Sequence, residues 1–361
     1  MKLAKLSLAA IMTVGALSTM NAANLEDSIK GVNFSGFARY RLNDVSDGNP
    51  QASHKSDNDI DVRLKATSKV TDTVSFTGDV GLRNNNDNGT GATTTGDLEL
   101  AQAYFTYSEA DLMVKAGKQN TATPVTDNGW MGNYGTGVLA TYGMGNVSLA
   151  GVYYGNTNAL GAEDISGVGA MGSFGVVNAQ AWAITTEDTI DALYFGQVDG
   201  TVAGLSLTGQ VISTTVAGGG ANDTGLFYGV KAGYSMDSFA FNAGYTKNDA
   251  DQPTYTLSAD GSPIFPGWRL GYVTANAADA EAMYADGSVS FGKIGVKVGY
   301  ATATYDVPAD AVNDTGITEI YTQLSYKVAK NLNTYVKYSD IDEDIDANDQ
   351  KYFRFEAKYS F

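Results

Sequence analysis

Residues 350–361 alternate with a period of two. Phe353, Phe355, Ala357, Tyr359 and Phe361 share one phase, and Arg354, Glu356 and Lys358 share the other. A strand with this alternation carries one apolar and one charged face. Inside a soluble sheet the charged face would be buried at large cost. In a transmembrane barrel the aromatics meet lipid and the charges meet a watery lumen. The pattern recurs along the chain. Phe34, Gly36, Ala38, Tyr40 and Leu42 oppose Ser35, Phe37, Arg39 and Arg41. Ile60, Val62, Leu64 and Ala66 oppose Asp61, Arg63, Lys65 and Thr67. Val74, Phe76, Gly78 and Val80 oppose Ser75, Thr77 and Asp79, and Leu332, Thr334, Val336 and Tyr338 oppose Asn333, Tyr335 and Lys337. Leu226, Tyr228, Val230, Ala232 and Tyr234 form a further outward row, and tyrosines gather near strand ends, as an interfacial girdle requires.

Short turns separate these segments at Lys69–Thr73, Ser108–Asp111, Gly143–Asn146, Phe174–Val177, Asp199–Gly204, Ser235–Ser238, Phe291–Lys293 and Lys327–Asn331. Longer polar stretches lie between them: Asn84–Gly96, Asn156–Ser166, Val216–Asn222, Lys247–Ala275, Asp306–Thr315 and Asp340–Asp349. Tight turns at one end and larger loops at the other are the layout of an up-and-down antiparallel barrel of the outer membrane. Eight tight turns predict nine hairpins and eighteen strands. Sixteen is the alternative, because Phe239–Phe291 is long for one hairpin and Asn178–Val198 is tight and less clearly alternating. The Lys247–Ala275 stretch, with Pro253, Pro263, Pro266 and Trp268, reads as one large external loop.

The first residues read as a secretory leader: Lys2 and Lys5, an apolar run from Leu6 to Leu17, then Ala22 and Ala23. Cleavage after Ala22 leaves residues 23–361 as a single barrel domain. The apolar run is too short for a spanning helix, which needs about 20 residues. The chain has no cysteine, so stability must come from strand pairing and lipid burial rather than disulfides. Its formal net charge of −17 argues against nucleic acid as a partner and fits attraction of cations, or simply solubility of acidic loops.

The charged residues are not spread evenly. Arg39, Arg41, Arg63, Arg83 and Arg354 fall on the lumenal phase of the first three strands and the last, where closure of the barrel brings first and last together. Lys65, Lys337 and Lys358 extend this basic wall. The connection after the fifth strand, Gln119–Tyr134, holds Asp127, Asn128, Trp130 and Tyr134 and takes the position of the porin loop that folds into the lumen. Asp127 is expected near the narrowest point, facing the basic wall across a transverse field. The competing reading is that Asp61, Asp79 and Glu356 pair with the arginines and merely satisfy charges inside the barrel.

Catalytic chemistry is poorly represented. The single histidine, His54, sits in the first external loop near Ser53 and Asp57 with no motif to assemble a triad, and it reads as a solvated loop residue. A lone histidine without cysteine also argues against zinc. The acidic runs Asp57–Asp61 and Asp340–Asp349 offer oxygen ligands of the kind calcium takes. They lack the glycine and final glutamate of an EF-hand loop, so a loop-bound calcium is the only cofactor reading left open. The glycine-rich Ala217–Ala221 has no phosphate-binding partner and reads as loop.

Several local motifs carry a resemblance. Met1-Lys-Leu-Ala-Lys-Leu-Ser-Leu, Leu25-Glu-Asp-Ser-Ile-Lys, Val32-Asn-Phe-Ser-Gly with Arg39-Tyr-Arg, Ala116-Gly-Lys-Gln119, Thr126-Asp-Asn128 and Gly135-Thr-Gly-Val138 resemble the major outer membrane porin of Campylobacter and its relatives. The similarity covers about the first 140 residues and the last dozen. It implies an eighteen-stranded barrel of the Gram-negative outer membrane, homotrimeric, with lipid around it. It also implies passage of small hydrophilic solutes and a mild preference for cations. Members are also linked to host-cell adhesion. The expected function is therefore passive diffusion without chemical transformation, with a substrate-selective channel or a barrel-anchored adhesin as alternatives.

Overall fold

The structure is a computed structural model that describes residues 31–47, 55–86, 97–130, 132–159, 163–218, 224–249, 257, 264, 266–271, 277–305, 315–344 and 349–361. The expected leader and His54 lie outside them. The chain forms eighteen strands: β1 (Asn33–Asp47), β2 (Lys55–Lys69), β3 (Val74–Asn86), β4 (Asp97–Glu109), β5 (Leu112–Asn120), β6 (Tyr134–Met144), β7 (Val147–Gly155), β8 (Ile165–Phe174), β9 (Val177–Thr186), β10 (Ile190–Val202), β11 (Leu205–Val216), β12 (Thr224–Met236), β13 (Phe239–Asn248), β14 (Glu281–Phe291), β15 (Ile294–Tyr305), β16 (Thr315–Ala329), β17 (Leu332–Glu343) and β18 (Gln350–Ser360). Each pairs antiparallel with the next, and β18 pairs with β1, so the sheet closes. The sixteen-strand alternative is excluded: Asn178–Val198 is a hairpin, β9–β10, joined by residues 187–189.

All eight predicted tight turns are present between consecutive strands. Most are two-residue links that require φ above zero. Gly145, Gly175 and Gly292 supply it at 62°, 66° and 59°, and Ala110 and Asp237 adopt it at 48° and 49°. The longer connections sit at the other end. The strands reach further into two of them than their polarity predicts: β3 runs to Asn86 and β17 to Glu343. Edge-of-membrane strands need no apolar alternation once they emerge from lipid.

The seam is regular. Residues Phe37–Asp47 pair with Gln350–Ser360, and Gly36 and Phe361 exchange backbone hydrogen bonds of 3.0 and 3.1 Å. The outward rows are the apolar ones. Val211, Val298 and Leu324 are about half exposed, as residues that meet lipid must be in an isolated chain. On the inner face some glycines make room for rings. A Cβ at Gly299 would lie 2.1 Å from the Tyr321 ring, and one at Gly244 2.4 Å from Tyr284.

The lumen is not uniformly wet. Trp182, Phe195, Ile212 and Phe227 stand opposite one another across β9–β12 and are all buried. With Tyr154, Ile184, Leu193 and Val125 they form an apolar cluster at the end remote from the tight turns. A second cluster joins Tyr284, Ala301, Ile317 and Ile341 of β14–β17 to Ile264 and Leu270 of the 249–280 connection. That connection is thus not simply external, as its proline content suggested; its described residues enter the barrel.

Charge on the two faces should therefore be tolerated very differently. Val298→Arg, in the middle of an outward row, should cost about 2–4 kcal/mol in urea unfolding from vesicles, whereas Ser325→Arg on the neighbouring lumenal row should cost much less. Equal losses would contradict the assignment of faces.

Candidate functional site: the lumenal wall and two inward loops

The basic wall assembles where β18, β1, β2 and β3 adjoin. Antiparallel pairing puts directly opposite residues on the same face. Arg39 therefore stands beside Lys358 and Asp61, Arg41 beside Glu356 and Asp59, and Asn43 beside Arg354 and Asp57. Lys65 stands beside Ser35 and Asp79, and the Arg83 backbone opposite Asp61 and Asp97; the Arg83 side chain lies outside the described residues.

The arginines meet carboxylates. Arg39 donates to Asp61 through Nε at 2.8 Å and also through Nη2; Asp61 is fully buried. Arg63 donates to Asp79 through Nε at 3.0 and 2.8 Å, and Asp79 is buried as well. Arg41 donates to Glu356 at 3.0 and 2.7 Å, and Tyr335 donates its hydroxyl to the same oxygen at 3.1 Å. These are the three acids on which the charge-satisfaction reading rested. Arg354 instead donates to the Asn43 amide oxygen at 2.6 Å. Lys358 places its ammonium 4.4 Å from the Phe37 ring centroid.

The 121–133 connection folds onto this wall. Val125 is fully buried in the first apolar cluster. Trp130 packs edge-on against Phe37 with centroids 4.9 Å apart, lies 6.0 Å from the Arg39 guanidinium, and fills the space above Gly81, where a Cβ would meet it at 2.7 Å. Asp127 makes its described contacts within the loop. Its carboxylate accepts from the Gly129 N–H at 2.7 Å, and its backbone exchanges bonds with Asn133. Trp130 is a residue of this loop that reaches the arginine wall.

Neighbouring connections pin this loop. Asn158 accepts from the Tyr134 N–H at 2.6 Å and donates to the Gly132 carbonyl at 2.8 Å. Asp164 accepts from the Asn156 N–H at 2.9 Å and the Tyr153 hydroxyl at 2.8 Å, which hold its carboxyl below the usual carboxylate range.

The second inward segment, 266–271, comes from the 249–280 connection and faces the next part of the wall. Lys337 of β17 places its ammonium 4.1 Å from the Trp268 ring centroid, and the Arg354 guanidinium lies 5.3 Å from it. The Arg269 guanidinium lies 4.3 Å from the centre of Tyr352. Each is a cation over an aromatic face. Glu319 on β16 anchors this segment. The sequence reading passed over it, although a lone acid on a lumenal row between Ile317 and Tyr321 demands donors from elsewhere.

Among the described residues no group of three or more His, Cys, Asp or Glu side chains is arranged to hold a metal. The acidic run at Asp340–Asp349 is partly strand, with residues 345–348 outside the described residues.

Asp61→Asn should leave Arg39 with only Glu356, 4.0 Å away and already bonded to Arg41, and destabilise the folded barrel by about 3 kcal/mol. The double change with Arg39→Gln should recover most of that loss in a thermodynamic cycle. Additive losses would show that the pair does not act as a unit.

Residues 1–159 match the family described as Campylobacter major outer membrane protein, in agreement with the motifs quoted above. No curated protein matches the chain. Solved barrels superpose closely. Pseudomonas aeruginosa OccK9 (OpdG) has a TM-score of 0.77 at 13% identity, covering 92% of this chain and 99% of that one. Acinetobacter baumannii OccAB4 has a TM-score of 0.76 at 12% identity, covering 91% and 98%. A BenF-like porin from Pseudomonas fluorescens Pf-5 has a TM-score of 0.76 at 15% identity, covering 91% and 98%. At such identities these likenesses speak for the fold.

Proposed function

We infer that this outer-membrane barrel, whose residues 1–159 carry the Campylobacter major outer membrane protein family match, is a porin that passes ions and small hydrophilic solutes by diffusion, with a mild preference for cations. The observation that carries the reading is the pairing on the lumenal wall. Arg39, Arg41 and Arg63 each sit against a carboxylate, so the wall presents dipoles more than net positive charge. A pair about 3 Å apart projects a weak field beyond its own dimensions. The acidic balance of the whole chain then prevails at the mouths and raises the local cation concentration. Screening confines that effect to about 8–10 Å at physiological salt, which makes the preference mild.

In this reading Arg39, Arg41, Arg63, Lys65, Arg354 and Lys358 line the pore, with Trp130 narrowing it from the 121–133 loop. Arg83 and Asp127 belong to the same wall and loop. Homotrimeric assembly is part of the proposal on the strength of the family resemblance. Nothing in the reading calls for a cofactor or a chemical step.

Zero-current potentials in a salt gradient should have the sign of cation preference; the opposite sign would reject it. Replacing Arg39 and Arg41 together by alanine should strengthen that preference, because Asp61 and Glu356 lose their counter-charges. Unchanged conductance and preference would mean that the pairs only satisfy interior charge. Liposome swelling with sugars of graded size should fall smoothly with size, whereas uptake of one sugar out of order would favour a substrate-selective channel.

A further inference from the structure

Glu319 is fully buried on the lumenal face of β16. Its carboxylate accepts from three successive backbone N–H groups, those of Trp268 at 2.8 Å, Arg269 at 2.9 and 3.0 Å and Leu270 at 3.1 Å. The Ser339 hydroxyl on β17 donates a further bond at 2.6 Å. Consecutive amides curled around an anion form a concave nest, and charge-assisted bonds of this kind are among the stronger ones in proteins. The curl needs Gly267, which has φ of 71° and leaves no room for a side chain; a Cβ there would lie 2.3 Å from the Glu319 carboxylate. The chain separation of about fifty residues makes this a tie between loop and wall, not a turn of the loop on itself.

Other contacts of the segment are of a different kind. Ile264 covers Gly229 of β12, and with Leu270 it joins the cluster of Ala301 and Ile317. Apolar contacts of this sort hold the segment against the wall without fixing where its exposed groups point. The nest fixes that. It sets Trp268 against Lys337 and Arg354, at the level of Asn43 in the β1–β18 register. Trp130 lies at the level of Phe37 and Arg39, six and four residues further down β1 from Asn43, or about 13–20 Å along the strand. The two tryptophans therefore intrude at different depths.

We propose that Glu319 is the positioning residue that holds the 266–271 segment in the lumen as a second constriction, separate from the 121–133 loop, and so sets the size of solute that passes. The proposal rests on the channel reading above. Glu319→Gln turns one acceptor of the carboxylate into a donor, and Gly267→Ala changes no residue of the barrel wall but pushes the curl off Glu319 and Ala301, which its Cβ would meet at 2.3 and 3.1 Å. In planar bilayers both variants should conduct more than the wild type and admit larger sugars in liposome swelling. Adding the Gly229→Cys and Ile264→Cys pair to Glu319→Gln should return conductance to the wild-type level when oxidised and lose that effect on reduction. The chain has no native cysteine to confuse the result.

A second readout does not require conduction. Arg269→Cys should react with a small maleimide at least about tenfold faster in the Glu319→Gln background, the effect of losing roughly one charge-assisted hydrogen bond. Wild-type conductance and sugar cut-off in both variants, with an unchanged labelling rate, would overturn the proposal. A wild-type protein that does not conduct would defeat the channel reading, and the labelling rate would still report on the nest. Should Glu319→Gln fail to assemble, Gly267→Ala carries the same test.

Discussion

Backbone amides inside a lipid layer have no water to bond with, so every one within the hydrocarbon must find a partner in the protein. Closure of β18 onto β1 meets that demand here, and the rest of the structure follows from it. Closure fixes the register of the first and last strands. That register places Arg41 opposite Glu356, so residues more than three hundred positions apart become an ion pair. The alternation that makes the exterior oily is the same alternation that collects the charges inside.

The interior is a compromise between hydration and packing. Along β18–β3 it is charged, and the charge is largely paired. Across β9–β12 it is apolar, with Trp182, Phe195, Ile212 and Phe227 in one row. Exposed to water, that row would be an unfavourable wall; the inward connections cover it. Val125 from one loop and Leu257 from the other both join this cluster. The apolar patches thus explain why two loops fold inward. Hydrophobic burial brings the loops in, and polar contacts from Asn158 and Glu319 set their final pose.

Much of this was legible in the chain. Strand faces and tight turns follow from period-two patterning and from short links between the rows, so the barrel was legible, with eighteen strands expected and sixteen left open by Phe239–Phe291 and Asn178–Val198. The three arginine–carboxylate pairs were one of two readings the chain left open: hairpin pairing makes neighbours of the strands that carry Arg39 and Asp61 and of those that carry Arg63 and Asp79, and closure does so for Arg41 and Glu356. The loops were not. Nothing in Gln119–Tyr134 distinguishes Asp127, which accepts from its own loop backbone, from Trp130, which crosses to Phe37 and Arg39. The pose of 266–271 involves Glu319, and that contact arises only once β16 is in place. Its proline-rich surroundings have the composition of an external loop whichever way they fold. Local pattern sets the strands, whereas loop placement depends on contacts between distant residues.

Amide hydrogen exchange on the detergent-solubilised barrel tests closure most directly. If β1 and β18 are paired, amides of residues 38–44 and 352–358 should exchange as slowly as those in the middle of β11 and β12, because neither strand is an edge. Fast exchange confined to β1 and β18 would mean an open sheet, and the ion pairs and pore built on that seam would have no foundation.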